Sequence, residues 1–387
     1  MTQKSLVPMM VALILLSPMA IDIYLPAMPM MAESFGVSLV NVQDTISWFI
    51  FSLGFGQLIA GPMADKYGRR PVAITGITLY FLSSVMAYLS YSFDMLLVAR
   101  LLQGFGACAT TVIAFCAARD CFAERSGRVI SYLNGTISFI PALAPILGGW
   151  ITANYGWEHN FSFMAVFSLV VGILVINLFP ETLPEGTKSN KVSYWPIATN
   201  GTFLFHALMC LLAMAVLLTF VSIAPGWLMV EVGLDINSFT MWFGANAVIN
   251  IISCMFAPRF MDAYGQRKTL VTGLAVIIAA GILMKSLGHN GQAWGFMLPM
   301  FLATVGVAFL LGSAAGKALS PFGHCAGTAA ALFGLFQMSG SSVLISITQK
   351  IGLDSPDLMT LQMFLLIPLL LVMLVRKSNE KPARACD

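Results

Sequence analysis

Charged residues are scarce in this chain: Asp, Glu, Lys and Arg together make up 10% of its 387 residues. A soluble domain carries about 25%, so the composition excludes a protein that is soluble in water as a monomer. No basic tract with interleaved aromatic residues is present in the sequence. A nucleic-acid partner is therefore not expected.

Recognisable catalytic and metal-binding patterns are missing as well. The four histidines are scattered, and none of the seven cysteines belongs to a Cys-x-x-Cys pair. The sequence thus predicts neither a zinc cluster nor a disulfide framework. Since no nucleophile–base pair or nucleotide-binding loop is found either, we expect neither an enzyme nor a bound cofactor.

Hydrophobic residues fill the chain instead, at 58% of the sequence, with a mean hydropathy of +0.85. A membrane-spanning helix needs about 20 mostly apolar residues. The first such run holds Asp22 and Pro26 and is too long and too polar for a cleaved signal peptide. Twelve segments meet the requirement: 6–32, 43–63, 72–90, 94–118, 128–152, 160–179, 199–223, 237–260, 269–288, 293–315, 325–349 and 357–375.

The spans divide into two halves. The expected fold is an all-α membrane protein with twelve transmembrane helices in two pseudo-symmetric six-helix bundles, residues 1–180 and 199–387, joined by a cytoplasmic linker, residues 181–198. The loop after the second span recurs after the eighth span: Asp65, Tyr67, Gly68 and Arg70 match Asp262, Tyr264, Gly265 and Arg267. Duplicated halves are typical of transporters that rock two bundles about a central site.

Lysine and arginine set the expected orientation. With the N-terminus inside, all of them except Arg100, Lys285 and Lys350 fall on the cytoplasmic side of the predicted spans. The positive-inside rule then places both termini in the cytoplasm. We expect a multi-pass protein of a bacterial inner membrane, monomeric, whose partners are the bilayer, protons and a small-molecule substrate.

The loop between the second and third spans carries a specific pattern of glycines and charges. Its glycines permit a tight turn and close helix approach. Its arginines are placed to pair with an acid such as Asp120 and so to latch one side of the protein shut. This loop resembles the signature loop of the major facilitator superfamily at every defining position: Gly61, Asp65, Gly68, Arg69 and Arg70.

The fifth span carries a second motif. Prolines remove helix hydrogen bonds and glycines let backbones touch, which predicts a bendable, closely packed helix. The pattern resembles the antiporter motif of that family, with Ala144 in place of one usual glycine, and the resemblance implies antiport. An ordinary kinked packing helix is the alternative. The residues concerned are Gly135, Pro141, Pro145, Gly148 and Gly149.

Two ionisable residues, Asp22 and Arg100, lie well inside predicted spans. Each costs about 2.5–3.5 kcal/mol near the bilayer centre, so such residues mark functional paths. Arg100 is long enough to contact Asp22 or to share a cavity with it. Around Arg100 and Gln103 the fourth span resembles the family, and Asp22 and Tyr24 begin a segment that resembles the first helix of its Bcr/CflA drug-resistance subfamily.

The expected activity is proton-coupled export of drugs or other small lipophilic compounds by alternating access, with the proton gradient as the energy source. Asp22 exchanges a proton for substrate in this hypothesis. A static Asp22–Arg100 pair that only fixes helix packing is the alternative role. The same engine moving a polar metabolite, such as a nucleoside, sugar or amino acid, is the alternative function. Further polar groups expected along the cavity are Asn134, Asn246, Asn250 and Gln337.

Overall fold

The computed structural model describes residues 3–122, 125–183 and 193–375, and this part of the chain is almost entirely helical. Twelve helices are long and apolar enough to cross a membrane, so the predicted number of spans is confirmed. We number the spans α1 to α12 in chain order: Leu6–Phe35, Leu39–Tyr67, Arg69–Tyr88, Phe93–Phe122, Ser126–Tyr155, Glu158–Leu178, Gly201–Glu231, Ile236–Tyr264, Gln266–Leu287, Ala293–Gly323, Ala326–Gln349 and Ser355–Val375.

Several predicted ends are wrong by a turn or two, because helices continue past the apolar run. The seventh span, predicted to end at residue 223, ends at Glu231 after a π-helical turn, Gly226–Glu231. Local capping sets the helix starts. The side chains of Ser38 and Asp235 accept backbone N–H groups in the first turns of α2 and α8, which satisfies donors that a helix start leaves open.

The helix α1 is broken near its middle. The helical segment Gln3–Asp22, which includes the first part of α1, ends directly at the predicted functional acid. A short 3₁₀ turn, Leu25–Ala27, and the helix Met28–Phe35 follow. Pro26 causes the break because it has no N–H to donate to the carbonyl four residues earlier, which belongs to Asp22. The acid therefore lies at the end of a helix segment rather than within a continuous helix.

The loop that repeats in the two halves has the same backbone in both. Gly68 and Gly265 adopt φ values of 99° and 83°, in the region that favours glycine. Each of them ends one span and starts the next. We call the end of the bundle that holds these two loops the loop end, and the other end the far end.

The two halves meet along α2 and α11, which run antiparallel. Hydroxyls of α11 donate to backbone carbonyls of α2: Ser339 Oγ to Phe51 O at 2.7 Å, and Ser342 Oγ to Ser47 O at 2.5 Å. Gly54 lets the helices approach, since a Cβ there would lie 2.5 Å from the backbone nitrogen of Ser339. We call this contact the α2–α11 seam.

A π-helical segment, Leu335–Gly340, interrupts α11 at the seam. Such segments insert an extra residue into a helical turn and are frequent at functional sites. Here the segment contains Ser339, which donates across the seam. The irregular turn therefore lies where the two halves contact each other.

The halves also contact each other at the far end. A Cβ on Gly149 of α5 would lie 2.7 Å from Ile236 at the start of α8. Likewise, a Cβ on Gly226 of α7 would lie 2.2 Å from the side chain of Leu39 at the start of α2. Small residues of each half thus receive a large side chain of the other, and the far end is closely packed.

Candidate functional site

At the loop end, Arg69 links the signature loop to α4. Its guanidinium donates to Asp65 Oδ1 at 2.6 Å and to Asp120 Oδ2 at 3.0 Å. Asp120, named from the sequence as the acid for these arginines, is therefore the partner of Arg69. Because α2, α3 and α4 each contribute one of the three groups, the cluster fixes the ends of these helices to one another.

The second arginine of the loop has a different partner. Arg70 donates from Nη2 to the backbone carbonyl of Ile176, near the end of α6, at 2.7 Å. Its side chain therefore joins α3 to α6 rather than to an acid. The two neighbouring arginines fasten the loop to two different helices of the first half.

Glu181, just after α6, supplies the acid on that side. Its carboxylate accepts the backbone N–H groups of Arg69 at 2.8 Å and Arg70 at 3.2 Å, at the start of α3. It also accepts those of Thr182 and Leu183. Partial burial raises the pKa of Glu181, but these four donors outweigh it and bring the pKa below its usual value of 4.5.

The sequence did not lead us to name Glu181 as a site residue, although it is the first residue of the predicted linker. One signal was available in the sequence. Glu181 follows directly after the sixth span, on the side where the arginines of the signature loop gather. An acid at that position is suited to cap the exposed N–H groups of a helix start.

A cavity of about 620 Å³ lies at the loop end between the two halves. One wall carries the Asp65–Arg69–Asp120 cluster and Arg119, and the opposite wall is formed by the first residues of α11. Apolar surface from Val112 and Phe115 lies deeper along α4. A volume of this size is in the range of sites for drug-sized molecules.

Arg100 is fully buried in the first half, with 0% of its surface exposed. It donates to the Gln103 side-chain oxygen, to Ala20 O at 2.9 Å and to Thr45 O at 3.4 Å. Its guanidinium also lies 4.9 Å from the ring centre of Tyr24. Neutral acceptors and π faces thus surround the charge.

Direct contact with Asp22 was one of two predicted arrangements, but Arg100 forms no ion pair with Asp22 or with any other acid in the described residues. The reason is local: Gln103 and the carbonyl of Ala20 occupy its donors. A static Asp22–Arg100 ion pair is therefore wrong for this arrangement of the helices. Arg100 instead binds the backbone of α1 two residues before the acid.

Asp22 itself is buried, with 4% of its surface exposed. Within the described part of the chain, its side chain has no hydrogen bond and no ion pair. A carboxylate charge in such surroundings is expensive.

The glycine motif of α5 packs on this break in α1. A Cβ on Gly148 would lie 1.5 Å from the carbonyl oxygen of Ile23, the residue after Asp22. Gly149 faces the second half, and Pro145 is buried beside them. Gly135, by contrast, borders open space, since a Cβ there would have no atom within 4 Å. Only the far-end part of the motif is in close contact, while Pro141 is partly exposed.

The structure places the other predicted polar residues apart from one another. Tyr24 and Gln103 are fully buried in the first half, where Tyr24 contacts Thr45 at 2.9 Å. Asn246 is buried and accepts a hydrogen bond from Thr304 within the second half. None of these three lines the 620 Å³ cavity, because their polar groups are used inside each bundle.

Three further predicted residues are partly or fully accessible. Asn134 is exposed on α5, and Asn250 accepts from Cys254 at 3.7 Å on its own helix. Gln337 lies in the π-helical segment of α11 and is partly exposed. They lie outside the 620 Å³ cavity as well, so their proposed contact with substrate stays a prediction.

Comparisons with known proteins agree with this architecture. A model of the Major Facilitator Superfamily matches residues 10–344. Multidrug resistance protein MdtL of Klebsiella pneumoniae (strain 342) is 32% identical over 352 residues, 90% of this chain and 89% of the relative. MdtL of Escherichia coli O81 (strain ED1a) is 32% identical over 382 residues, 96% of each chain.

Among solved structures, the xylose transporter XylE from E. coli, in a partially occluded inward open conformation, matches with a TM-score of 0.76. Sequence identity is 14%, and the match covers 97% of this chain and 99% of that one. At this identity the likeness concerns the fold alone. Since the family model and the relatives span most of the sequence, the protein belongs to the major facilitator superfamily.

Proposed function

We propose that the protein is a proton-coupled antiporter that exports drugs or other small lipophilic compounds across the inner membrane by alternating access. The observation that carries the proposal is Asp22, a buried acid without a partner at the break in α1. A proton is the cargo that such a group exchanges most directly. The membrane potential supplies about 2.3 kcal/mol per charge per 100 mV.

The cavity at the loop end supports a substrate site that is reached from that side. Its charged wall belongs to the first half and its other wall to the second half. Closing it requires the loop-end parts of the halves to approach, while the packed far end opens. In that state Asp65 approaches the start of α11, where the helix dipole favours an anion.

Coupling in this proposal runs through α1. Asp22 is covalently next to Ile23, whose carbonyl packs on Gly148 of α5, and Gly149 contacts the second half at Ile236. Gain or loss of the proton changes the charge at this junction. The change therefore shifts the equilibrium between different packings of α1 and α5 against the second half. Antiport needs such a link between protonation and conformation.

Charge distribution supports a cytoplasmic loop end. In the described residues, the parts of the helices at the loop end hold several basic groups, including Arg119, Arg259 and Lys268. Lys285 and Lys350 lie at the far end. The positive-inside rule favours this orientation. The relatives' name, multidrug resistance protein, supports drugs as the substrate class.

The test uses everted membrane vesicles from an efflux-deficient host, with a fluorescent reporter of internal pH. Adding an exported drug to energised wild-type vesicles should release protons. Asp22→Asn should abolish this release at equal membrane expression, whereas Asp94→Asn, an exposed acid at the start of α4, should retain it. Full proton-coupled transport by Asp22→Asn contradicts the proposal.

The same vesicles decide between substrate classes. Release driven by lipophilic cations and neutral drugs supports drug export. Release driven only by nucleosides, sugars or amino acids assigns the engine to a polar metabolite instead. A drug-susceptibility panel in the same host checks the first outcome in whole cells.

A further inference from the structure

A groove of about 300 Å³ lies on the outer surface of the α2–α11 seam, toward the far end. It is separate from the loop-end cavity and shares no lining residue with it. Both halves of the protein contribute to its walls. It is lined by Asp44, Ser47, Trp48, Phe51, Ser342, Val343, Ser346, Ile347 and Lys350.

The groove lies on a surface of the protein that contacts the bilayer. Trp48, Val343 and Ile347 have 45%, 46% and 59% of their surface exposed. In a membrane-spanning helix, apolar side chains exposed on the outside contact lipid tails. The groove is therefore open to lipid along one side.

The far end of the groove is polar and carries both signs of charge. Asp44 lies in the second turn of α2, and Lys350 follows the last residue of α11. Both line the groove, yet no ion pair joins them. The carboxylate and the ammonium thus flank a gap between the two halves.

A third polar group in the groove has no partner. The hydroxyl of Ser47 is buried, and it has no hydrogen-bond partner among the described residues. Its backbone carbonyl is already occupied by Ser342. A buried hydroxyl without a partner loses the hydrogen bond that it makes in water, so the site favours a ligand with an acceptor at this depth.

We propose that this groove binds one phospholipid with a primary ammonium headgroup, from the leaflet at the far end. The lipid ammonium donates to Asp44, its phosphate pairs with Lys350, and Ser47 donates to a phosphate or ester oxygen. An acyl chain lies along Trp48 and Ile347. The separated opposite charges match the two charges of a zwitterionic headgroup.

This chemistry distinguishes among bilayer lipids. A phosphatidylcholine headgroup has a quaternary ammonium without an N–H group, so it makes no charge-assisted hydrogen bond to Asp44. A phosphatidylglycerol headgroup has no cation at all. The groove therefore selects phosphatidylethanolamine over both.

Binding also affects the two halves. Since the groove has one wall on α2 and the other on α11, its bound lipid contacts both halves at once. A bound lipid therefore stabilises the arrangement in which α2 and α11 are in contact at the far end. The size of this effect is the difference in lipid-binding free energy between the two arrangements of the halves.

Native mass spectrometry of the full-length protein tests the site, with detergent-solubilised phosphatidylethanolamine, phosphatidylcholine and phosphatidylglycerol as probes. For wild type, one phosphatidylethanolamine should bind at least about tenfold more tightly than either other lipid, as expected for one charge-assisted hydrogen bond. Equal binding of the three lipids overturns the proposal without any variant.

Variants then locate the site. Asp44→Asn should remove the preference for phosphatidylethanolamine, whereas Glu33→Gln, an exposed acid at the same end, should retain it. Lys350→Gln should weaken the binding of all three lipids, because each of them carries a phosphate. A preference that survives Asp44→Asn, or unchanged lipid binding by Lys350→Gln, overturns the assignment. A second result also overturns the assignment: the three lipids bind wild type equally, and tetraphenylphosphonium displaces them. The groove is then a site for lipophilic cations.

Discussion

Replacing Gly148 by alanine tests the contact between α5 and the break in α1. The added Cβ would lie 1.5 Å from the carbonyl oxygen of Ile23. Even a tight Cβ contact needs 3.0 Å, so the helices must separate by at least about 1.5 Å along this line. Overpacking of this kind costs about 1–3 kcal/mol, and here the obstructing atom is backbone, which cannot rotate away.

The displaced segment carries Asp22, so transport should suffer along with stability. We expect Gly148→Ala to lower the melting temperature of the purified protein and to reduce drug-induced proton release in everted vesicles at least about tenfold. A shift of about 1.4 kcal/mol in the balance between two arrangements already changes their ratio tenfold.

The same helix provides a matched control. Gly135→Ala makes the identical chemical change in α5, where nothing lies within 4 Å of the added methyl group. It should not lower the melting temperature, since alanine favours a helix more than glycine does, and it should leave proton release unchanged. Wild-type behaviour of Gly148→Ala, or equal damage from both variants, would refute the claim that contact with Ile23 explains the glycine.

Two further changes test the buried groups of the first half. Arg100→Lys should leave at least one buried acceptor unpaired, which lowers the free energy of unfolding by about 1–3 kcal/mol and with it the melting temperature. Arg128→Lys, on the exposed surface, should not lower the melting temperature. Equal effects of the two variants contradict the described network. Glu181→Gln should lower the melting temperature at neutral pH, because its folded pKa is depressed and its contribution is present above the usual value of 4.5. That difference from wild type should close as the pH falls below 4.5 through the folded pKa, and a difference independent of pH would contradict the carboxylate cap.

The sequence predicts the number of spans and the repeated loop because both depend on local composition. Apolar length fixes a span, and Gly68 and Gly265 are needed for the same positive φ in both halves. The break after Asp22 was only partly foreseeable. Pro26 was visible, but prolines are also tolerated within membrane helices, so the proline alone did not establish that this helix breaks.

The partner of Arg100 depended on the three-dimensional structure. Charge alone favoured Asp22, yet Gln103, one helical turn away, and a backbone carbonyl of α1 lie nearer to its donors. Backbone acceptors from another helix leave no trace in a sequence. The π-helical turn of α11 is equally hidden, since its residues Leu335–Gly340 resemble those of an ordinary helix.

Glu181 has a mechanical consequence. It connects the end of α6 to the start of α3 through the N–H groups of Arg69 and Arg70, and the chain leaves toward the second half only a few residues later. A force transmitted along the linker therefore reaches Glu181 before it reaches α6. Movement of the linker is therefore passed through Glu181 to the start of α3 as well as along the chain to α6.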